Sequence, residues 1–343
     1  MTADLWSDWR AINQLVQTDY PDAIPIILVH GWNGNEFTWP PAEELKKLEV
    51  KLSRDIYFFT YRSGLLPERF PPMEILEEQF EHFLADFHQV DVIAHSMGGL
   101  LVRTYLQHHS GTSIRRIVFL STPHFGTDAA KVLTEIANIG PLGNLQAEEM
   151  RPGSYFLWQL NEDVGHELQS LEILNVYVGE GSPAQSDFVV DEHSAYLPGQ
   201  NNVGVDGDHH TLPKNLHESD SIIRFLTDGE LPPLSKKPKR RDLWVRIHDA
   251  DRDRDLSLYP ASVKRLDSKG IPKSGTAGIS VCCQAPSDLY GVKGSTIIIE
   301  NILPAERLVF FLRGNLANVE VETDALLSSE RPIIFRALEA HSR

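Results

Sequence analysis

The chain of 343 residues is 41% hydrophobic and 23% charged, with a formal net charge of −16. This balance is typical of globular proteins, the length accommodates two domains, and collagen-like, disulfide-scaffold and zinc-ribbon classes are excluded. No apolar run approaches the roughly 18 residues of a membrane-spanning helix. Cys282 and Cys283 are adjacent, and the N-terminal segment carries acidic residues where a secretory signal carries cations, so a cytoplasmic location is expected.

The charge is divided unevenly along the chain. Residues 1–234 contain 34 acidic and 14 basic residues, whereas residues 235–343 contain 14 acidic and 18 basic residues. The negative front part should repel phosphates, so nucleic acid is not expected as a partner. The sign changes at LPPLSKKPKRRD, residues 231–242, which we interpret as a linker between domains. A localisation signal and a patch for anionic lipid are the alternative interpretations.

Short apolar runs alternate with longer amphipathic segments in the front part. Parallel strands buried on both faces form continuous apolar runs. Five such runs predict strands: Ile26–Val29, Asp55–Tyr61, Asp91–Ala94, Ile117–Leu120 and Ile173–Val178. Between the second and third runs, apolar residues from Met73 to Phe87 recur at helical spacing, which predicts a helix packed on the sheet. The pattern indicates an α/β fold with a mostly parallel sheet and helices on both faces.

A serine directly follows the third predicted strand. The segment VIAHSMGGLLV, residues 92–102, runs from an apolar strand into Ser96 and then into a helical pattern. A sharp strand-to-helix turn requires small residues two positions on either side of the serine, here Ala94 and Gly98, because the backbones nearly touch there. The turn exposes the serine hydroxyl above the sheet, and the helix that follows places free N–H groups beside it. Ser96 is therefore the candidate nucleophile.

The segment around Ser96 resembles the nucleophile elbow, Gly-x-Ser-x-Gly, of the α/β-hydrolase superfamily. Within it, the chain is most similar to the lipase and esterase branch, including lipases related to glycosylphosphatidylinositol inositol-deacylases and lecithin acyltransferases. Ala94 departs from the usual glycine by one methyl group. The resemblance covers residues from about 24 to 228, and it implies an α/β-hydrolase fold with a helical cap.

Two further segments match loops of these lipases. IILVHGW, residues 26–32, resembles the His-Gly loop after an early strand, which implies that the backbone N–H groups of Trp32 and Met97 form the oxyanion hole. LSTPHFGT, residues 120–127, is similar to a Thr-Pro-His-x-Gly segment. A structural or pocket-lining role is favoured for its histidine over that of catalytic base. The resemblance implies these substrate-binding residues: His30, Gly31, His95, His124 and Phe125.

The acid and the base are assigned by the same resemblance. SDFVV, residues 186–190, looks like the Ser-Asp-Gly-Val-Val segment of these lipases, which implies Asp187 as the acid, with Glu180 and Asp191 as rivals. DHHTL, residues 208–212, looks like the segment of the catalytic histidine, which implies His209 as the base, with His210 as its rival. The order Ser, Asp, His is the one that the connectivity of this fold imposes.

No metal site is expected. Asp206, Asp208, His209 and His210 could be interpreted as a metal cluster, but chelation from so short a loop is awkward. The alternating aspartates from Asp249 to Asp255 resemble a calcium loop but lack the Gly and Glu of an EF-hand, which favours a solvated turn.

Two regions lie outside the predicted sheet. Nearly fifty residues separate His124 from the strand at Ile173, and we expect a cap at about residues 125–170 that either moves or forms a rigid wall. Residues 243–343 contain strand-like runs separated by Gly, Pro, Asn and Asp, which predict a small antiparallel β-sandwich. These runs are Leu243–His248, Gly278–Gln284, Ser295–Glu300, Leu308–Arg313, Val319–Glu322 and Ile333–Leu338. The cysteine pair lies within the second of them, where packing is the expected role.

The sequence therefore predicts a catalytic domain at residues 1–234, a basic linker at 235–242 and a β-rich domain at 243–343. The expected activity is that of a serine hydrolase acting on carboxylic esters, lipid-like ones in particular, through an acyl-enzyme. It requires no metal or organic cofactor. An acyltransferase or thioesterase on the same triad and a non-catalytic binding module are the alternatives. The basic linker could support peripheral membrane contact, while no partner of the C-terminal domain is indicated.

Overall fold

A computed structural model describes most of the front part of the chain and the strands of the back part. The described residues are 19–64, 70–127, 145–162, 168, 171–179, 189–233, 241–249, 254–255, 260–266, 279–282, 296–302, 307–312, 319–322 and 333–337. They fall into two compact units, the first within residues 1–150 and 165–236 and the second within residues 151–164 and 237–343.

A six-stranded parallel sheet forms the core of the first unit. Its strands are β1 (Ile26–Val29), β2 (Ile56–Phe59), β3 (Val90–His95), β4 (Ile114–Leu120), β5 (Glu172–Val178) and β6 (Asn201–Val205). They lie in the order β2-β1-β3-β4-β5-β6, and every neighbouring pair is parallel. The apolar side chains of β1 and of most of β3 are fully buried, as continuous apolar runs require. The five predicted strands and the parallel sheet are confirmed.

Helices cover both faces of this sheet. They are α1 (Ala42–Leu52), α2 (Met73–Leu84), α3 (Met97–His108), α4 (Leu145–Glu149), α6 (Glu192–Ala195), α7 (Thr211–Lys214) and α8 (Asp220–Asp228), and α5 (Tyr155–Glu162) belongs to the second unit. Phe58 packs in the core cluster with α1 and α8. Phe59, the next residue of β2, therefore faces the other side, where its ring lies 5.0 Å from Phe80 and 5.3 Å from Phe83 of α2. The predicted helix from Met73 is confirmed.

A buried ion cluster fixes the start of β3. The fully buried carboxylate of Asp91 accepts two hydrogen bonds from the guanidinium of Arg115, at 2.9 and 2.7 Å, and pairs with Arg54 at 2.7 Å. Two guanidinium groups compensate the cost of burying this charge. Because the cluster anchors one end of β3, it holds in place the strand whose other end leads into Ser96.

The described part of the second unit contains α5 and eight strands. The strands are β7 (Arg241–Asp249), β8 (Arg254–Asp255), β9 (Pro260–Leu266), β10 (Ile279–Cys282), β11 (Thr296–Ile302), β12 (Arg307–Leu312), β13 (Val319–Glu322) and β14 (Ile333–Ala337). They form one sheet in the order β10-β11-β7-β14, with β8 paired to β7, and a second sheet in the order β13-β12-β9. β14 pairs with β7 in parallel, a pairing that an all-antiparallel sandwich does not include. The C-terminal β-sandwich domain stays a prediction.

The predicted cap falls partly outside the described residues. Its described part contains α4 and α5, and residues 151–164 are grouped with the second unit. In the described part of the chain, no helix is both long and apolar enough to cross a membrane.

Candidate active site

Ser96 occupies the sharp turn between β3 and α3. Its backbone has φ 52° and ψ −126°, in the positive-φ region that side-chain-bearing residues rarely adopt. The Ser96 N–H donates to the carbonyl of Leu120 at 2.9 Å, which ties the turn to the end of β4. Such a strained turn, held by the sheet beside it, is what the spacing of small residues predicted.

The small residues around Ser96 are required by close backbone contacts. A Cβ at Gly98 would lie 2.6 Å from the carbonyl oxygen of Val29 and closer still to that of His30. A Cβ at Gly31 would lie 2.7 Å from the Cβ of Ser96. Real Cβ contacts this short essentially never occur. The end of β1, the loop after it and the start of α3 therefore pack backbone against backbone around the serine.

The backbone N–H groups of Trp32 and Met97 are the predicted oxyanion hole. Met97 is the first residue of α3, so its N–H has no acceptor within the helix. Trp32 follows β1 and lines the same pocket as Ser96. The Gly31 carbonyl accepts three hydrogen bonds. The donors are Nδ1 of His30 at 2.8 Å, the backbone N–H of Gly34 at 3.1 Å and the hydroxyl of Ser63 at 3.4 Å. Since a trans peptide is planar, holding this carbonyl also fixes the direction of the Trp32 N–H.

His30 is locked in one tautomer beneath this loop. Its Nδ1 donates to the Gly31 carbonyl, and its Nε2 accepts from the backbone N–H of Tyr61 at 3.1 Å. The Tyr61 hydroxyl donates to the His30 carbonyl at 2.6 Å, and the two rings are stacked 4.2 Å apart. Burial lowers the pKa of His30 to about 4, so the ring is neutral near pH 7. His30 thus positions the loop that carries Trp32, a role that the sequence did not identify.

The candidate base, His209, is buried next to His95. The two rings lie 4.6 Å apart, and the Nε2–H of His95 donates to the backbone carbonyl of His209 at 2.9 Å. Burial lowers the pKa of His95 well below its usual range, so it is a neutral neighbour of the base. Asp208 accepts from the N–H groups of His210 at 2.8 Å and Thr211 at 2.9 Å, which fixes the turn after His209. His210 is exposed.

Ser96 and His209 line one pocket of about 270 Å³. Both are nearly inaccessible to solvent, with 6% and 5% of their surface exposed. The other residues of the lining are Gly31, Trp32, Asn33, Gly34, Asn35, Phe37, Thr38, His95, Thr127, Met150, Val189, His210, Pro213 and Lys214. The structure thus brings together a serine, a histidine and one of the two assigned oxyanion residues at the carboxyl ends of the strands, where open α/β sheets bind ligands.

The segment before the pocket residue Met150 is tied to the core. The carboxyl group of Glu149 accepts from the N–H of Met73, at 3.2 and 3.1 Å, and the Gln146 amide donates to the carbonyl of Pro71 at 2.9 Å. The partly buried position of Glu149 raises the pKa of its carboxyl to about 8, and the nearby Glu74 adds to this rise. These contacts hold α4 and Met150 against the N-terminus of α2.

The candidate acid Asp187 and its rival Glu180 lie outside the described residues. The other rival, Asp191, is exposed and precedes α6. Asp206 is exposed as well. Within the described ranges, no group of three His, Cys, Asp or Glu side chains could hold a metal ion. Because Asp187 lies outside the described residues, its assignment as the acid stays a prediction.

His124 and Phe125 are not among the residues that line this pocket. His124 is fully buried, where its Nδ1 accepts from Arg103 at 3.4 Å and its Nε2–H donates to Asn175 at 3.1 Å. Burial and the nearby guanidinium lower the pKa of His124 well below its usual range. Asn175 in turn donates to Asn202 at 2.7 Å. The network supports the structural alternative for His124, and no signal in the sequence pointed to the two asparagines.

Comparisons with known proteins identify the family. The profile of the alpha/beta hydrolase family matches residues 26–267. Because this match covers most of the chain, the protein belongs to the alpha/beta hydrolase family. No curated protein sequence matches the chain.

Solved structures share the fold. Phospholipase PlaB from Legionella pneumophila has a TM-score of 0.62 at 13% identity, over 92% of this chain and 94% of that chain. Its complex with thio-NAD has the same TM-score at 12% identity, with the same shares of the two chains covered. The lipase BlEst2 from Bacillus licheniformis, in its propeptide form, has a TM-score of 0.49 at 19% identity, over 86% of this chain and 72% of that one. At such identities the similarity to the two PlaB structures shows a common fold alone.

Proposed function

We propose that the protein is a serine hydrolase that cleaves carboxylic esters through an acyl-enzyme on Ser96. The observation that carries the proposal is the position of Ser96: a serine in a strained strand-to-helix turn, lining one pocket with a buried histidine. Strain of this kind persists only where the surrounding structure enforces it, and it is concentrated at functional sites. Membership of the alpha/beta hydrolase family supports the hydrolytic chemistry.

The mechanism follows from the roles of the pocket residues. His209 takes the proton of Ser96 as its oxygen attacks the ester carbonyl, and it then gives that proton to the leaving alcohol as the ester C–O bond breaks. Water repeats the sequence on the acyl-enzyme and releases the carboxylic acid. Asp187 is the proposed acid that orients His209. The N–H groups of Trp32 and Met97 stabilise the oxyanion, and each such donor contributes about 3 kcal/mol in comparable sites.

The proposed substrates are lipid-like esters. Phe37, Met150, Val189 and Trp32 give the pocket an apolar wall that can receive an acyl chain. Phe37 has 77% of its surface exposed although it is a large apolar residue. The similarity to a phospholipase and a lipase is in keeping with this substrate class. We also propose a cytoplasmic enzyme with a C-terminal β-sandwich domain, whose basic linker at residues 235–242 supports peripheral membrane contact.

Hydrolysis of p-nitrophenyl esters from acetyl to palmitoyl tests the proposal. The wild type is compared with Ser96→Ala and with the control Ser121→Ala. Ser121 also ends a strand with positive φ, at 41°, but it does not line the pocket and its hydroxyl has no hydrogen-bond partner among the described residues. Turnover is expected in the wild type and in Ser121→Ala, with loss in Ser96→Ala. Equal activity in all three would refute Ser96 as the nucleophile, and inactivity of all three would refute ester hydrolysis of this kind.

A further inference from the structure

The charge of the pocket differs from that of the chain around it. Residues 1–234 have a net charge of −20, with 34 acidic and 14 basic residues. Among the described residues that line the pocket, however, none is Asp or Glu, and one is a lysine, Lys214. The described lining therefore carries a cationic side chain and no carboxylate, in contrast to the net charge of this part of the chain. Such a lining suits a substrate that carries negative charge.

Lys214 stands at the rim of the pocket. It is the last residue of α7 and is exposed, and His210, four residues earlier and just before the helix, lines the same pocket. Residues four apart along a helical turn lie on the same side, so both side chains can reach one ligand group. The ammonium group offers three donors, and the imidazole offers at least one.

Lys214 is also available for a ligand. In the described part of the chain it forms no ion pair, whereas Lys46 and Lys47 are each paired with two carboxylates. Asp208, in the turn before α7, lies outside the lining, and its carboxylate accepts hydrogen bonds from two backbone N–H groups. At physiological salt, charges farther than about 8 Å from a bound group are largely screened, so a group bound at Lys214 interacts mainly with the charges next to it.

On the basis of the proposed function, we propose that the pocket selects esters that carry an anionic group, a phosphate or a carboxylate, and that Lys214 with His210 binds that group. The anionic group is bound by side chains of α7 and of the turn before it.

Matched pairs of soluble esters test this inference. The first pair is p-nitrophenyl glutarate, an anion on its acyl side, and neutral p-nitrophenyl valerate. The second pair is dibutyryl-glycerophosphate, an anion on its alcohol side, and neutral dibutyrylglycerol. The quantity measured is the ratio of kcat/KM for the anionic ester to that for the neutral ester of each pair. The pair with the higher ratio shows whether the anion lies on the acyl or the alcohol side.

Three variants make the test specific to Lys214. For the preferred pair, Lys214→Met is expected to lower the ratio about two- to fivefold, the upper range for one exposed charge pair, mainly through KM of the anionic ester. Lys214→Arg is expected to retain the ratio because it retains the charge. Lys51→Met makes the same charge change on α1, at an exposed residue outside the pocket lining, and should leave the ratio unchanged. Raising the salt from 0.05 to 0.5 M should reduce the wild-type ratio, because salt screens the pair.

The outcomes separate this inference from the proposed function. If the wild type hydrolyses neither member of either pair, the proposed function fails. If it hydrolyses them with equal efficiency, or if Lys214→Met and Lys51→Met change the ratio equally, the ester hydrolase stands and the anion site is overturned. A lower ratio in Lys214→Met alone, with retention in Lys214→Arg, supports the site.

Discussion

Replacing Gly98 by alanine should disturb both the fold and the catalytic geometry. The new Cβ would lie 2.6 Å from the carbonyl oxygen of Val29 and even closer to that of His30. Both neighbours are backbone atoms of β1 and its loop. They cannot turn aside as the end of a flexible side chain could. To reach an ordinary van der Waals distance, α3 and β1 must separate by about 1 Å. Overpacking of this kind costs about 1–3 kcal/mol of the free energy of unfolding.

The same displacement acts on catalysis. The displacement moves Trp32, the proposed oxyanion residue two positions after His30, away from Ser96. A misplacement of about 1 Å lowers activity by about 100-fold in comparable sites. We therefore expect kcat/KM for p-nitrophenyl butyrate to fall by at least this factor, and we expect the midpoint of thermal unfolding to fall by about 2–10 °C.

Gly204→Ala is the matched control. A Cβ at Gly204 on β6 would meet its nearest atoms, in Gly179 and Tyr177, at 3.6 Å, which is ordinary contact. Both variants add one methyl group at a glycine in the first unit. The reasoning is refuted if Gly98→Ala matches the wild type in midpoint and kcat/KM, or if Gly204→Ala loses as much as Gly98→Ala does.

Three further predictions follow from buried contacts. Tyr61→Phe removes the donor to the His30 carbonyl and should lower the free energy of unfolding in urea by about 1–3 kcal/mol. We also expect a decrease in kcat that is larger than the change in KM. An unchanged kcat would count against a role of His30 in positioning the loop of Trp32. His95→Leu removes the donor to the His209 carbonyl and should lower kcat/KM about 10- to 100-fold. His95→Gln keeps a donor and should retain most of the wild-type kcat/KM. An equal loss of kcat/KM in both variants would contradict a positioning role of this hydrogen bond. The Glu149 carboxyl, with a pKa raised to about 8, keeps a proton that the unfolded chain loses above about pH 4.5, so the free energy of unfolding should fall as pH rises from 5 to 8. Urea unfolding of Glu149→Gln over this range should show a flatter slope, and an unchanged slope would refute the assignment.

Local patterns in the sequence predicted the strands and the elbow. Fully buried strands need continuous apolar runs, and those runs occur where β1 to β5 form. The elbow was predicted because its constraint is also local: Gly98 must be small for Ser96 to occupy its strained turn. The order of the strands depends on contacts between distant segments, which periodicity does not report.

The interactions around the site could not be predicted for the same reason. Tyr61 contacts His30 from the end of a different strand, and nothing in its own neighbourhood marks it as a partner. For His124 the sequence favoured a structural or pocket-lining role, but its partner Asn175, 51 residues away, had no local signal. Side chains that satisfy buried polar groups are chosen by the folded environment.

Ser96 is the nucleophile of the proposed mechanism, and every other proposed role refers to it. A fluorophosphonate probe with a short alkyl chain tests this, because it reacts with an activated serine and leaves a stable adduct that intact-mass and peptide mass spectrometry can locate. We predict one adduct per chain, on the peptide that contains Ser96, and we predict its absence in Ser96→Ala. An adduct on another residue, or no adduct in a protein that hydrolyses esters, would contradict the account.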